Sequence, residues 1–261
     1  MLLTKLVSRY VEYEPSPGPT AHLACVWTGE TGDDGGYTDR VLPDACIDVI
    51  WTGDRLFVAG PDTGPVIGQR VPGSFVVGAR FRPGHAPGFL GVPAVEIVDQ
   101  RVALEDLWGE PATTALLEAL TGLPLVAAAR VLEARVAAMA PDDDHGTALA
   151  DGVLHLAQDR YVESLAAEAG ITTRTLHRRC LTAFGYGAKT LQQVLRFRRF
   201  LALAERAPGA GLSQLAADAG YADQSHLTRD CNRLSGLTPA GLLANRGVRI
   251  VQDDAWFERA G

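Results

Sequence analysis

This sequence of 261 residues lacks several features that would place it in a particular class of protein. No stretch of about 18 apolar residues is present, so no helix is expected to cross a membrane. Residues 1 to 7 lack the apolar core and small-residue cleavage site of a secretory signal, and we therefore expect a cytoplasmic protein. The four cysteines form no CxxC pair and no zinc-ligand spacing, so we expect buried reduced thiols, no metal and no cofactor.

The chain also has fewer basic than acidic residues, and its charge is unevenly distributed along the sequence. The chain has a formal net charge of −7, with 47% hydrophobic and 21% charged residues, as is ordinary for a globular protein. Residues 151 to 246 nevertheless carry a net charge of +4, while the rest of the chain carries −11. This division favours a protein that contacts nucleic acid with one part only.

One sequence pattern occurs twice in the C-terminal half. Leu165 to Gly170 reads LAAEAG, and Leu215 to Gly220 reads LAADAG fifty positions later. Each copy is followed by a short polar turn and then by a segment with matching apolar and basic positions. A helix, a tight turn with glycine and a second helix form the helix-turn-helix motif, which places its second helix in the DNA major groove.

The second helix of each copy has an apolar face and a polar face. Thr172 or Thr173 is expected to cap the first of these helices, and Asp223 the second. Arginine can bind guanine with two hydrogen bonds, and glutamine can bind adenine in the same way, so the polar faces have the chemistry of base readout. A plain amphipathic surface helix is the alternative for either copy alone. The residues predicted to contact DNA are Thr173, Arg174, His177, Arg178, Lys189, Gln224, Ser225, Thr228, Arg229 and Arg233.

Between the two copies, Lys189 to Arg206 is predicted to form one continuous helix. At about 1.5 Å per residue it spans about 27 Å. Such a rod could place the two reading helices in successive major grooves, which lie about 34 Å apart. Its apolar positions follow one side, and Arg196, Arg198 and Arg199 are expected to be available elsewhere.

These motifs resemble those of a known family. Gly220 to Arg229, followed by Gly236 to Pro239, is similar to the C-terminal signature of AraC/XylS-type bacterial transcription regulators, and Gly170 to Gly185 resembles their first helix-turn-helix. The sequence departs from the family at Cys180, Cys231 and Ser235, which are core positions. The resemblance implies that the residues predicted above read two adjacent segments of a DNA site. It also implies a separate sensing or dimerising domain, often a cupin-like β-barrel.

The chain is predicted to divide into two domains of different fold class. Residues 1–108 contain short apolar runs between Gly, Pro and Asp clusters, which indicates a β sandwich or barrel with a sensing or regulatory role. Residues 109–141 have helical spacing and either pack on the β domain or form a dimer interface. An exposed linker is expected at 141–146, an all-α DNA-binding domain at 147–246 and a tail at 247–261. The overall class is α+β multi-domain.

A possible ligand site lies at the end of one predicted strand. Arg80, Arg82 and His85 stand beside a turn, where they could hold the carboxylate of a small effector. The alternative is that these charges are solvated or pair with nearby acidic residues.

The favoured function is sequence-specific regulation of transcription. Its partners would be promoter or operator DNA, a small-molecule effector, a second copy in a homodimer, and RNA polymerase if the protein activates. An enzyme is not expected; the alternative is a cupin-like metal enzyme or a DNA-repair protein fused to the helix-turn-helix domain. Redox sensing by Cys25 and Cys46 is a third interpretation, although no sequence neighbour would lower the pKa of either thiol.

Overall fold

The computed structural model describes residues 8–17, 21–33, 37–141, 150–152, 166–167, 169–244 and 248–249. Helices and strands are numbered in chain order within these residues. None of the described helices is both long enough and apolar enough to span a membrane. Residues 142–146 of the expected linker, residues 147–149 and 153–165 of the expected DNA-binding domain, and most of the tail lie outside the described residues.

The strands of the N-terminal region pair antiparallel, and one two-residue strand at 248–249 pairs parallel with one of them. The strands are β1 (Ser8–Tyr13), β2 (Leu23–Thr31), β3 (Tyr37–Val41), β4 (Asp48–Trp51), β5 (Leu56–Ala59), β6 (Val66–Arg70), β7 (Phe75–Phe81), β8 (Arg101–Ala103) and β9 (Val248–Arg249). Six of them form a sheet in the order β1-β2-β7-β4-β5-β8, and a smaller sheet has the order β6-β3-β9. The predicted β-rich domain is confirmed, and its apolar runs correspond to β2, β4, β5 and β7.

Helices cover one face of the large sheet. They are α1 (Ala86–Leu90), α2 (Leu104–Trp108), α3 (Glu110–Leu120) and α4 (Leu125–Ala137), with a 3-10 helix at Ala94–Ile97. Leu120 of α3 and Leu132 of α4 are fully buried in the same core as Val49 and Val77 of the sheet. Of the two alternatives for residues 109–141, the structure therefore supports packing on the β domain, since the chain's own sheet covers these apolar residues.

The C-terminal region is helical, as predicted. Its described helices are α5 (Thr173–Phe184), α6 (Ala188–Arg206), α7 (Leu212–Asp218), α8 (Gln224–Ser235) and α9 (Pro239–Ala244). Leu176 of α5 and Leu227 of α8 occupy equivalent places in the two copies of the repeat, and both are fully buried. They belong to one core with Val194 and Phe197 of α6, which holds the two motifs together.

The two regions share an extensive contact that the sequence does not reveal. Leu42 and Ala45, in the loop after β3, are buried in the same core as the C-terminal helices. Arg198 of α6 donates a hydrogen bond to the backbone carbonyl of Asp44 at 3.2 Å. Since Arg198 is only 7% exposed, the expectation that it is available on the open side of α6 is wrong.

Candidate nucleic-acid interface

Helix α5 presents a basic face to solvent. It begins after Thr172, whose hydroxyl accepts a hydrogen bond from the Thr175 backbone amide at 3.2 Å. Leu176, Cys180 and Phe184 point into the core because they recur at intervals of four residues. The predicted contact residues of α5 are all exposed: Thr173, Arg174, His177 and Arg178.

Helix α8 has the same construction. Its N-cap is Asp223, whose carboxylate accepts a hydrogen bond from the His226 backbone amide at 2.6 Å. Gln224, Ser225 and Arg229 are exposed on the side opposite the buried Leu227. Because the Asp223 carboxylate is engaged by the helix's own amide, its charge is offset at the end that would enter the groove.

Three of the predicted α8 contacts already make intramolecular hydrogen bonds, and one of them is Gln224, whose side-chain oxygen accepts from the Ser213 hydroxyl at 3.2 Å. Thr228 is half-buried, and its hydroxyl donates to the carbonyl of Gln224 at 2.8 Å. Arg233 donates to the side chain of Gln193 on α6 at 3.0 Å and lies 3.8 Å from Asp230. The side chains of these three residues are thus less available for DNA than that of Arg229.

Aromatic and cationic contacts fix α8 against α6. The Arg196 guanidinium lies over the Tyr221 ring, 5.1 Å from its centroid. The same ring makes an edge contact with His226, at 5.1 Å between centroids. Since α6 has 19 residues and begins one residue before the predicted start, it extends for about 28 Å as a single rod between the two motifs.

The β domain encloses a cavity of about 210 Å³. Arg80 lines it and pairs with Asp48, with 3.1 Å between Nε and the nearer carboxylate oxygen. The two residues meet because they are directly opposed across β7 and β4. Burial raises the pKa of Asp48, and the neighbouring Arg80 opposes this rise.

The three predicted effector residues do not all face the cavity, although the His85 backbone amide donates a hydrogen bond to the Arg82 carbonyl at 3.0 Å. Arg82 and His85 are not among the residues that line the cavity. The His85 ring is buried at the contact between the two regions, where Nε2 lies 2.8 Å from an Asp151 carboxylate oxygen and Nδ1 lies 3.2 Å from Nδ1 of His22. Arg80 is thus the member of this set that faces the cavity, and its charge is paired with acids, as the alternative interpretation expects.

All four cysteines are buried and none forms a disulfide. Burial raises the pKa of Cys180 to about 11 and that of Cys231 to about 12, and it raises the pKa of Cys46 strongly. A thiol with a raised pKa is a poor nucleophile at neutral pH. In the part of the chain that the structure describes, no group of three or more His, Cys, Asp or Glu side chains could hold a metal ion.

The sequence-based predictions did not include the residues that join the two regions or the other charged residues that line the cavity. Arg40 on β3 donates a hydrogen bond to the backbone carbonyl of Ser235 at the end of α8, at 2.7 Å. Arg70 and Arg101 line the cavity and pair with Asp39 and Asp62, respectively, each at 2.8 Å. These pairs join strands that are distant in sequence, so periodicity alone carries no signal for them.

Two family models match separate parts of the chain. Residues 165–245 match a model described as "Helix-turn-helix domain". Residues 11–103 match one described as "Domain of unknown function (DUF6597)". A search of curated proteins found no match.

Distant similarity to solved structures extends over most of the chain. A crystal structure of ToxT from Vibrio cholerae O395 is 10% identical, with a TM-score of 0.44, and the match covers 91% of this chain and 97% of that one. A 1.65 Å structure of ToxT from Vibrio cholerae is 9% identical, with a TM-score of 0.43 and coverage of 91% and 98%. Wild-type ToxT with bound unsaturated fatty acid, from strain SCE256, is 10% identical, with a TM-score of 0.44 and coverage of 80% and 90%.

The family match and the doubled motif agree with the geometry of α5, α6 and α8. Each second helix is capped at its N-terminus, buries its apolar face and exposes its polar one. Residues 165–245 therefore form a helix-turn-helix domain, in agreement with the resemblance of this segment to AraC-type regulators.

Proposed function

We propose that this protein is a sequence-specific transcription regulator that reads two successive major grooves. The observation that carries the proposal is that two capped helices with exposed polar faces, α5 and α8, pack into one core with the 19-residue helix that lies between them in the chain. A rod of about 28 Å approaches the separation of about 34 Å between successive major grooves on one face of B-DNA. Both helices can then contact the same side of one duplex.

The exposed side chains divide into base readers and phosphate contacts. Arg174, Arg178 and Arg229 have the guanidinium geometry that binds guanine with two hydrogen bonds, and Gln224 has the amide that suits adenine. Lys189 is exposed in the first turn of α6, where a single ammonium group suits a phosphate. The sequence preference of each groove should therefore come from a few residues of one helix.

The cavity of the β domain is the best candidate for control of DNA binding. It is enclosed by charged and apolar side chains and adjoins the loop that contacts α6. A small-molecule effector bound there would lie beside the DNA-binding domain without touching DNA. We expect the protein to act on operator or promoter DNA, as a homodimer where the DNA site is repeated, and to contact RNA polymerase if it activates transcription.

The test is a selection of bound duplexes from a random DNA pool, using the full chain. We expect an enriched motif in two segments about one helical turn apart, with affinity that falls steeply as salt rises because phosphate contacts release counterions. The negative control is the double variant Arg174→Ala with Arg229→Ala, which changes the exposed faces of both α5 and α8. This variant should not enrich the motif. Binding that is equal for the selected and random duplexes at low salt would refute the proposal.

A further inference from the structure

The charges that line the cavity do not balance. Among the residues that the structure describes, four carboxylates and three guanidiniums line it, and they belong to Asp39, Asp44, Asp48, Asp62, Arg70, Arg80 and Arg101. Each guanidinium has a carboxylate within 3.1 Å: Arg70 with Asp39, Arg80 with Asp48, and Arg101 with Asp62. Among these seven described side chains, the carboxylate of Asp44 is in excess.

Asp44 has the weakest charge compensation of the four. Its nearest described cationic atom is Nε of Arg80, at 3.7 Å, and that guanidinium is already paired with Asp48. One Asp44 carboxylate oxygen also accepts a hydrogen bond from the Cys46 backbone amide at 2.9 Å. A cation that entered the cavity would therefore gain a partly desolvated carboxylate as its counter-ion.

The uncharged walls of the cavity suit the same type of ligand. Tyr10 and Trp27 lie side by side in the wall, with 5.5 Å between ring centroids, and Ile50, Phe57 and Val76 extend the apolar surface. Aromatic faces attract organic cations as well as apolar groups. The N-terminal part of the chain is acidic overall, so it adds a long-range negative potential that attracts cations.

We propose that the cavity binds a small organic ammonium ion, with its charged group on Asp44 and its apolar part against Tyr10 and Trp27. The ligand class is thus a primary amine with a compact apolar or aromatic body, and not a carboxylic acid. This inference deepens the proposed function, on which its regulatory part rests.

Asp44 also links the cavity to the DNA-binding domain. Its side chain faces the cavity, while its backbone carbonyl accepts the hydrogen bond from Arg198 of the connecting helix α6. The next residue, Ala45, is buried against the C-terminal helices and has a φ of 67°, a conformation that costs a non-glycine residue free energy. An ammonium ion that draws the Asp44 carboxylate away from Arg80 will move this loop and alter its contact with α6.

The ligand class is tested with three molecules of one shape. The full chain is titrated with benzylamine, benzyl alcohol and benzoate, and binding is followed by saturation-transfer NMR and calorimetry. We expect benzylamine to bind about tenfold or more tightly than either of the others, since it alone forms a charge-assisted hydrogen bond with Asp44. The proposal is overturned if benzoate or benzyl alcohol binds the unmodified chain as tightly as benzylamine does, and this outcome does not depend on the behaviour of any variant.

The residue is tested with Asp44→Asn, which removes the charge and keeps the shape. It should weaken benzylamine about tenfold and leave benzyl alcohol unchanged. Asp106→Asn, an exposed position on α2 with the same change of charge, is the matched control and should bind like the unmodified chain. Unchanged benzylamine affinity in folded Asp44→Asn would refute the assignment.

Coupling is measured on the duplex that the selection yields. Saturating benzylamine should change the Kd for this duplex about threefold or more in the unmodified chain, but not in Asp44→Asn at the same ionic strength. If benzylamine binds without changing the Kd for the duplex, only the proposed coupling through Asp44 is refuted. Failure to bind any duplex specifically without amine would refute the proposed function, and the amine titration would still stand or fall independently.

Discussion

Two exposed cations in the DNA-binding domain, Arg229 and Lys189, are expected to contribute to binding in different ways. Arg229 lies on the open face of α8, in the helix proposed to enter the major groove. Arg229→Ala should cost about 1–3 kcal/mol of binding free energy on the selected duplex and relax the base preference at one position. Competition binding with a set of duplexes that differ at single positions measures both effects.

Lys189→Ala is the comparison for this prediction. A phosphate contact carries no sequence information, so its loss should weaken all duplexes alike and lower the salt dependence. An equal loss across all duplexes for Arg229→Ala would show that Arg229 contacts the backbone and not a base.

The buried thiols should be inert in the folded protein. Cys180 and Cys231 occupy matching core positions, and burial raises the pKa of both thiols, to about 11 and about 12. Reaction with a disulfide reagent at pH 8 should therefore be slow until the chain is unfolded in denaturant, when all four thiols should react. Rapid reaction of one thiol in the native protein would instead revive the redox interpretation of Cys25 or Cys46.

At the scale of single elements, α5 and α8 depend on their N-caps. Asp223→Ala removes the acceptor of the 2.6 Å hydrogen bond from the His226 amide. It should lower the free energy of unfolding by about 1 kcal/mol, because the first turn of α8 then has an amide without its partner. Equilibrium urea unfolding followed by circular dichroism measures the change.

Asp223→Asn is the matched control for the cap. Asparagine caps helices about as well as aspartate, so this variant should keep nearly all of the stability. A loss as large as that of Asp223→Ala would mean that the negative charge at the helix N-terminus, and not the hydrogen bond, provides the stabilisation.

At the scale of the whole molecule, the contact between the two regions can be tested at Gly185. This residue ends α5 with a φ of 82°, and a Cβ there would lie 2.5 Å from Val98, 2.8 Å from Pro61 and 3.1 Å from the Ala94 carbonyl oxygen. Gly185→Ala should therefore cost about 2–4 kcal/mol, from the left-handed conformation and from displacement of the β domain. Urea unfolding gives the loss, and limited proteolysis shows whether the two regions separate.

Gly122→Ala isolates the conformational part of this loss. Gly122 has a similar φ of 78°, and a Cβ there would meet nothing within 4 Å. This variant should lose only about 1 kcal/mol. If both variants lost the same amount, the packing of α5 on the β domain would not exist in solution.

The sequence by itself determined the helices of the C-terminal half of the protein and which of their side chains face outward. The repeat at 165–170 and 215–220 fixes two similar motifs, and the apolar spacing of α5 and α8 decides which side chains face outward. These signals are local, since a helix repeats its contacts within about four residues. The same patterns predicted the caps and the start of α6 to within one residue.

Only the tertiary structure decided which charges meet. Asp48 and Arg80 are 32 residues apart and pair because β4 and β7 are neighbours in the sheet, a register that neither strand's sequence specifies. Arg198 has the sequence context of a solvated helix residue, yet it is buried because the loop at Asp44 packs on α6. The cavity and the hydrogen bond between Asp44 and Arg198 depend on such long-range pairings, whereas α5 and α8 depend on periodicity within one segment.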